Sequence, residues 1–419
     1  MLSLRVFNLP AFVALTLLYC GSNASAESAQ PPLKIVWERS FGEGDRKYAI
    51  GATAPTSGGV WIAGTVADNV HKVTTVWLWR IDQQGEKMQE VAVPGLSKRP
   101  EGVSDHEQRV EGLSVLGDGS LLVLVYLLGE ERHVVIKVAP DGKMQFVKDL
   151  VQHEVDVAFA KMIATTDGKF LLIGRQYGVA LAMKIDATGE VLWRKTFDRR
   201  QPSEGNTERF LTWFIDGIAT TDGGAVVTGD VGGTEKYYLD QGGIWIVKLD
   251  GGGNVVAELD FSGRQGRMAH NQGREYVIAY DKSRADNREL WVRAVDADLK
   301  LLWESHILAD NWGATPGLHD IVSVPGGGTL VVTTKKLVGF WIVGVGEDGK
   351  KGWEFVEEIN ILKHRGPLRS PLNFTVFSGD TFVIVYPIMS GADIRVATVK
   401  FTVAVSEGKA MGTNQTQVR

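Results

Sequence analysis

Cysteine is all but missing from this chain of 419 residues. Its single copy, Cys20, has no second thiol to bridge to, so folded stability must come from packing rather than from disulfides. Positive charge is not in excess either: 45 Lys and Arg stand against 50 Asp and Glu, a formal net charge of −5. That balance argues against nucleic acid or an anionic membrane as the main partner. No apolar run reaches the roughly 20 residues that a membrane-spanning helix needs. The cleanest run, 12–19, follows Arg5 and precedes Ala24-Ser25-Ala26, the small-x-small pattern cut by signal peptidase. The expectation is a signal peptide over 1–26, a mature chain starting at Glu27 in the periplasm or outside the cell, and no membrane span. Tyr19 in front of Cys20 is large for lipoprotein processing, which favours a small residue there.

Catalytic signatures are lacking as well. The eight histidines are scattered singly, without the spacing of helical or finger-type zinc ligands. A nucleophile elbow would read Gly-x-Ser-x-Gly, and the nearest stretch, Gly112-Leu113-Ser114-Val115-Leu116-Gly117, has the wrong spacing. Gly251-Gly252-Gly253 reads as a hairpin turn, since no helix follows it to hold a phosphate. These absences predict no catalytic residue, no metal and no cofactor. Long capped segments with a 3.6-residue period are also missing, which excludes a mainly helical fold.

What the chain has in abundance is glycine, 49 copies against 13 prolines, set among strand-forming apolar residues. A unit recurs roughly every 50 to 60 residues. In its clearest copy, 160–164 reads as a strand, Thr165-Thr166-Asp167-Gly168 as a turn, and 170–174 as a second strand. A third strand covers 179–185, Asp186-Ala187-Thr188-Gly189 makes another tight turn, and 190–197 is the fourth strand. The first turn returns near 57–59, 117–119, 221–223, 271–273, 326–328 and 378–380; the second returns near 82–85, 140–142, 250–253 and 347–349. At Asp296-Ala297-Asp298 the glycine is missing. Asp-Gly and Gly-Gly supply the positive φ angles of tight hairpins. The last unit, 372–406, lacks a fourth strand, while 34–41 reads as an orphan strand similar to 190–197. The fold class expected is therefore all-β: a seven-bladed β-propeller of four-stranded antiparallel blades, closed by the N-terminal strand. It would occupy 27–408, with a disordered tail over 409–419. Trp61, Trp77, Trp79, Trp245, Trp291 and Trp341 fall on expected strands and are assigned to packing between blades.

The stretch Lys184-Ile185-Asp186-Ala187-Thr188-Gly189-Glu190-Val191-Leu192-Trp193 resembles the blade repeat of the pyrroloquinoline-quinone-type (quinoprotein-like) β-propellers. Partial echoes end at Trp303 and Trp353, and Trp37 holds the same place on the orphan strand. The resemblance covers most of the chain. That superfamily includes quinoprotein dehydrogenases and a non-enzymatic outer-membrane assembly lipoprotein, and secreted bacterial propellers carry similar repeats. The dehydrogenases resemble one another in a vicinal disulfide over the cofactor, which a chain with one cysteine cannot form. The resemblance therefore implies architecture rather than quinone chemistry.

One pattern reaches function. Connections from first to second and from third to fourth strand are short, whereas 93–110, 198–209, 231–242, 281–289, 306–317 and 357–372 are long and fall between second and third strands or between blades. In a propeller these six emerge on one face. They hold Lys98, Arg99, Arg199, Arg200, Tyr237, Tyr238, Trp312, His364, Arg365 and Arg369, a mixture enriched at protein hot spots and placed on loops of a rigid scaffold. The function expected is an exported, monomeric, non-catalytic binding propeller engaging a protein partner. One version is an immunity or inhibitor protein against a secreted toxic enzyme; another is an envelope assembly scaffold. The alternative is a glycan-active hydrolase or lyase with carboxylates at the central channel.

Overall fold

The computed structural model describes residues 33–403 except 43–45, 69–72, 94–95, 97–107, 153, 155, 200–211, 233–242, 272–274, 283–288, 309–317, 325–327, 336–338, 358–372, 379–380 and 391–392. The expected signal peptide and C-terminal tail lie outside them. β1 (Leu33–Phe41) comes first, and β2 (Arg46–Thr56), β3 (Gly59–Asp68), β4 (Val73–Asp82) and β5 (Lys87–Val93) follow as an antiparallel run. Five separate four-stranded antiparallel sheets succeed it. They are β6 (Gln108–Val115) to β9 (Met144–Gln152), with β7 (Leu121–Leu127) and β8 (Arg132–Val138); and β10 (Val157–Ala164) to β13 (Val191–Phe197), with β11 (Phe170–Gln176) and β12 (Val179–Ile185). Next come β14 (Thr212–Ala219) to β17 (Val255–Ser262), with β15 (Ala225–Val231) and β16 (Gly243–Leu249), then β18 (Arg264–Asn271) to β21 (Leu301–Leu308), with β19 (Glu275–Asp281) and β20 (Leu290–Val295). The fifth is β22 (Leu318–Ser323) to β25 (Lys351–Glu357), with β23 (Thr329–Lys335) and β24 (Gly339–Val345). β26 (Asn373–Ser378), β27 (Thr381–Ser390) and β28 (Asp393–Val403) complete the order. β1 pairs antiparallel with β28 from Leu33↔Val403 to Phe41↔Val396, and one parallel bridge, Lys47↔Ile394, links β28 to β2.

Burial explains the residue choice. Second and third strands such as β7 (Leu-Leu-Val-Leu-Val-Tyr-Leu) and, apart from Lys184, β12 are packed on both faces and read as apolar runs, while the outer strand β17 alternates exposed and half-buried residues. Each sheet shares a core with the next: Val76 and Leu78 meet Val123 and Val125, Leu122 and Leu124 meet Leu172 and Leu181, and Ile173 meets Val227. The series continues with Val226 against Ile278, and Val277 against Val331. Ile62 and Trp79 pack against Val383 and Val385 of β27. The first strands touch in chain order, β2 with β6, β6 with β10 and so on to β22 with β26, and β26 also touches β2.

Antiparallel order puts the first-to-second and third-to-fourth turns at one end of every sheet and the remaining connections at the other. The short-turn end is locked across sheets. The indole N–H of Trp193 donates to the Gly251 carbonyl at 3.1 Å, and Gly253, at φ 74°, faces the ring so closely that a Cβ would sit 2.7 Å from it. The turn without glycine closes in the same way: Leu299 N–H donates to the Asp296 carbonyl at 3.0 Å, with Leu299 itself at φ 64°. Its side chain is 4% exposed, so tertiary burial holds it in a conformation that branched residues avoid. The expected strand 160–164 begins earlier, at Val157, because a bulge between Phe159 and Lys161 carries the ladder through an irregularity that breaks strict alternation. Trp61, Trp77, Trp79, Trp245 and Trp341 are buried between sheets, whereas Trp291 is half-buried and stacks on His306 at 4.9 Å.

Candidate functional site

A cavity of about 610 Å³ lies at the end of the sheets opposite the short turns, where β2, β6, β10 and β14 come together. Its principal side chains are Gln108, Arg109, Tyr126, Phe159, Arg175 and Trp213. Bulges between Ile50 and Ala52, Val110 and Gly112, Phe159 and Lys161, and Phe214 and Asp216 shift the register of all four converging strands there. Gly51 lets β2 approach β6, since a Cβ on it would lie 2.2 Å from the Val110 carbonyl oxygen.

One wall is built around a buried acid. The Arg109 guanidinium bonds one Glu111 oxygen at 2.6 Å, and the other stands 3.3 Å from His133 Nε2. Glu111 and His133 side chains are only 2% and 1% exposed. The His133 ring stacks on Tyr126 at 4.5 Å and meets Phe159 edge-on at 5.0 Å, and Arg109 covers the other aromatic partner, Tyr126, at 5.7 Å. Burial, and then the charges of Glu131 and Glu111, push the Tyr126 hydroxyl above its usual range. The opposite wall is simpler. Arg175, at the end of β11, lies 5.2 Å over the Trp213 ring, and among the described residues no carboxylate pairs with it.

Further along the converging strands, β10, β14, β18 and β22 supply Lys161, Asp216, Arg267 and Asp320. Lys161 is paired with Asp216, whose other oxygen accepts the Met268 N–H at 2.8 Å. Burial pushes the Asp320 carboxyl up to about 6, against the pull of Lys161. Asp230, at the end of β15, accepts the Gln265 N–H at 2.8 Å and is likewise raised to about 6 by burial.

Of the ten residues expected to bind a partner, only Arg199 is described. It is paired with Asp260, stands 3.6 Å from Glu258, and covers Trp245 at 5.3 Å, which ties the end of β13 to β17 of the next sheet. Lys98, Arg99, Arg200, Tyr237, Tyr238, Trp312, His364, Arg365 and Arg369 lie outside the described residues. The residues that the fold does bring together, Arg109, Tyr126, Arg175 and Trp213, sit on strands and were not singled out from the sequence. The usable signal was an arginine or aromatic at the strand end away from the tight turns, as in Ile173-Gly174-Arg175-Gln176-Tyr177, where an inward position next to a connection need not be core.

Among the described residues no helix is long and apolar enough to cross a membrane. No protein-family model and no curated protein matches the chain. Solved structures do. Drosophila Plexin A in complex with Semaphorin 1b aligns with a TM-score of 0.51 at 8% identity, over 88% of this chain and 87% of that one. Drosophila Semaphorin 1b, extracellular domains 1–2, aligns with a TM-score of 0.51 at 8% identity, over 87% and 86%. The β-propeller domain of the Trilobed protease from Pyrococcus furiosus, described as having an open velcro topology, aligns at 0.47 and 10% identity over 88% and 97%. At such identities the likeness carries the fold and nothing more: the chain is an all-β protein of four-stranded antiparallel sheets with a β-propeller fold.

Proposed function

We propose that this chain is an exported, monomeric, non-catalytic binding propeller that engages a protein partner through the face opposite its short turns. In this reading the repeats are of the quinoprotein-like type, and β26, β27, β28 and β1 form a seventh blade that closes the ring against β2. The pairing of β1 with β28, the contact of β26 with β2 and the shared core of Ile62 with Val383 support that closure. The observation that carries the binding role is the pair of cation–π contacts, Arg109 over Tyr126 and Arg175 over Trp213, at the cavity on that face. Arginine and large aromatics on a rigid frame are what protein hot spots are made of. Immunity against a secreted toxic enzyme and envelope scaffolding are the two versions we favour. Arg199 contributes to the face by ordering the end of β13 rather than by presenting a free charge.

The test is affinity for a partner identified by crosslinking in periplasmic extract and then purified. Arg175→Glu and Trp213→Ala should each weaken binding by about tenfold or more, whereas Lys143→Glu on the short-turn end should not. Equal affinity for all three variants would remove this face from the account.

A glycan-active hydrolase or lyase is the second reading, favoured by one observation: Asp216 and Asp320 both act on Lys161, and Asp320 is raised to about 6, within a general acid's range. Release of reducing ends from a panel of envelope polysaccharides, lost in Asp320→Asn, would establish it; no release would leave the binding role.

A further inference from the structure

We propose that the cavity between β2, β6, β10 and β14 is a binding site for a carboxylate carried on a compact apolar or aromatic body, with Arg175 as the anion-binding residue and Trp213, Phe159 and Tyr126 as the walls that hold the body. The volume of about 610 Å³ falls within the roughly 300–1,000 Å³ of small-ligand sites. The polar groups of the lining are unevenly matched. Arg109 is neutralised by Glu111, which His133 backs from the other side. Arg175 has no such partner among the described residues, so the cavity's unbalanced positive charge is its guanidinium.

The geometry around Arg175 suits a carboxylate. The cation–π contact with Trp213, 5.2 Å from the guanidinium carbon to the ring centroid, restricts the side chain's freedom. The N–H donors lie in the guanidinium plane, at its rim, where a carboxylate can accept two of them side by side. The field across the cavity also has a direction. Glu131, Glu111 and Asp156 disfavour ionisation of Tyr126 and Arg109, itself held by Glu111, opposes them, so the Tyr126 wall does not attract an anion, whereas Arg175 on the other wall has no carboxylate partner among the described residues. An anion would therefore settle at Arg175, with its apolar part between Trp213 and Phe159. A neutral isostere would leave the guanidinium without its counter-charge in a partly dry site and bind more weakly.

The required group could be a free organic acid or the C-terminal carboxylate of a partner chain. The proposal concerns the carboxylate, and it stands whether or not this face also binds a protein. The experiment titrates the full folded chain with 3-phenylpropionate and its neutral amide, and with N-acetyl-glycyl-phenylalanine as free acid and as C-terminal amide, following tryptophan fluorescence and heat. At least one acid should saturate, and its amide should bind about tenfold more weakly or worse. Saturation by phenylpropionate assigns a free acid as sufficient; saturation by the peptide acid alone assigns the group to a chain end. Arg175→Met should abolish the preference for acid over amide, Arg175→Lys should keep part of it, and Lys143→Met on the short-turn end, where the lysine is paired with Asp141, should leave it unchanged. The Arg175→Lys variant guards against a folding defect in Arg175→Met. Overturning results are acid and amide binding alike, Arg175→Met keeping the preference, or neither acid saturating by about 10 mM.

Discussion

The indole N–H of Trp37 donates to the carbonyl of Gln83 at 2.9 Å, joining the outer strand β1 to the β4–β5 turn across 46 residues of chain. Gly85 of that turn has φ 81°, and a Cβ on it would lie 2.9 Å from the Trp37 ring. The arrangement repeats that of Trp193 with Gly251 and Gly253, so β1 docks on the first sheet as β13 docks on the sheet after it.

Trp37→Ala should therefore cost about 3–5 kcal/mol, the usual loss for a large buried aromatic. Gly85→Ala should cost more than about 1 kcal/mol, through its φ and the overlap with the ring. Thermal or urea unfolding reads both. A Trp37 variant as stable as the parent would mean that β1 contributes nothing to the sheet it pairs with.

Lys184 is 3% exposed at its side chain, yet its ammonium is satisfied by Asp167 at 2.8 Å, the Gly223 carbonyl at 2.7 Å and the Gly251 carbonyl at 3.3 Å. Lys184→Met should lower stability by about 1–3 kcal/mol, since two carbonyls and a carboxylate lose their donor. Burial works against the Asp167 charge, but hydrogen bonds from Lys184, Thr165 and Lys169 outweigh it and hold the carboxyl well below its usual range. Its stabilising contribution is complete above the unfolded value of 3.8 and disappears as pH falls toward the folded one. Acid unfolding followed from pH 5 down to pH 2 should consequently be shallower in Asp167→Asn than in the parent.

Asp230 has the opposite sign. Burial lifts it to about 6 from 3.8, despite the Gln265 N–H and the charges of Arg267 and Arg264, so the folded state keeps a proton that the unfolded chain has already released. Stability from this group declines as pH rises from about 4 to about 6 and then levels off. Asp230→Asn, which can still accept from Gln265, should raise the unfolding temperature at pH 7.5 by an amount equivalent to about 1–3 kcal/mol and change little at pH 4. Calorimetry at the two pH values decides it; an equal effect at both would show that the carboxyl is not strained by burial.

Leu299 offers a contest between two terms. Glycine would relieve its φ of 64°, a gain of about 1 kcal/mol. Truncating a side chain only 4% exposed costs about 2–5 kcal/mol, so packing outweighs the strain. Leu299→Gly should lower the unfolding midpoint, and a rise would mean that backbone strain dominates the turn.

How legible each level was depends on the range of the interaction involved. The tight turns could be read because Asp-Gly and Gly-Gly act on their own φ and ψ, and the strands because β-branched and apolar runs mark surfaces buried on both sides. Even the gap at Asp296-Ala297-Asp298 was visible; that Leu299 fills it was not, because only a neighbouring core can hold leucine there. The site was less legible still. Arg109, Tyr126, Arg175 and Trp213 are separated in sequence, and bulges at Phe159/Lys161 and Phe214/Asp216 alter the inward and outward order that a simple alternation assigns. The arginines expected to bind a partner fall in long connections, yet the described one, Arg199, is held by Asp260.

By itself, the amino-acid sequence determined the all-β class, the recurring four-stranded unit and the lack of any disulfide, since all three follow from local conformational preference and composition. Tertiary structure alone decided which charges are matched and which side chains share a cavity: Arg199 with Asp260, Lys161 with Asp216, Arg175 with Trp213. Those relationships arise where strands far apart in the chain converge, and their strength depends on burial and distance, which no local pattern of residues encodes.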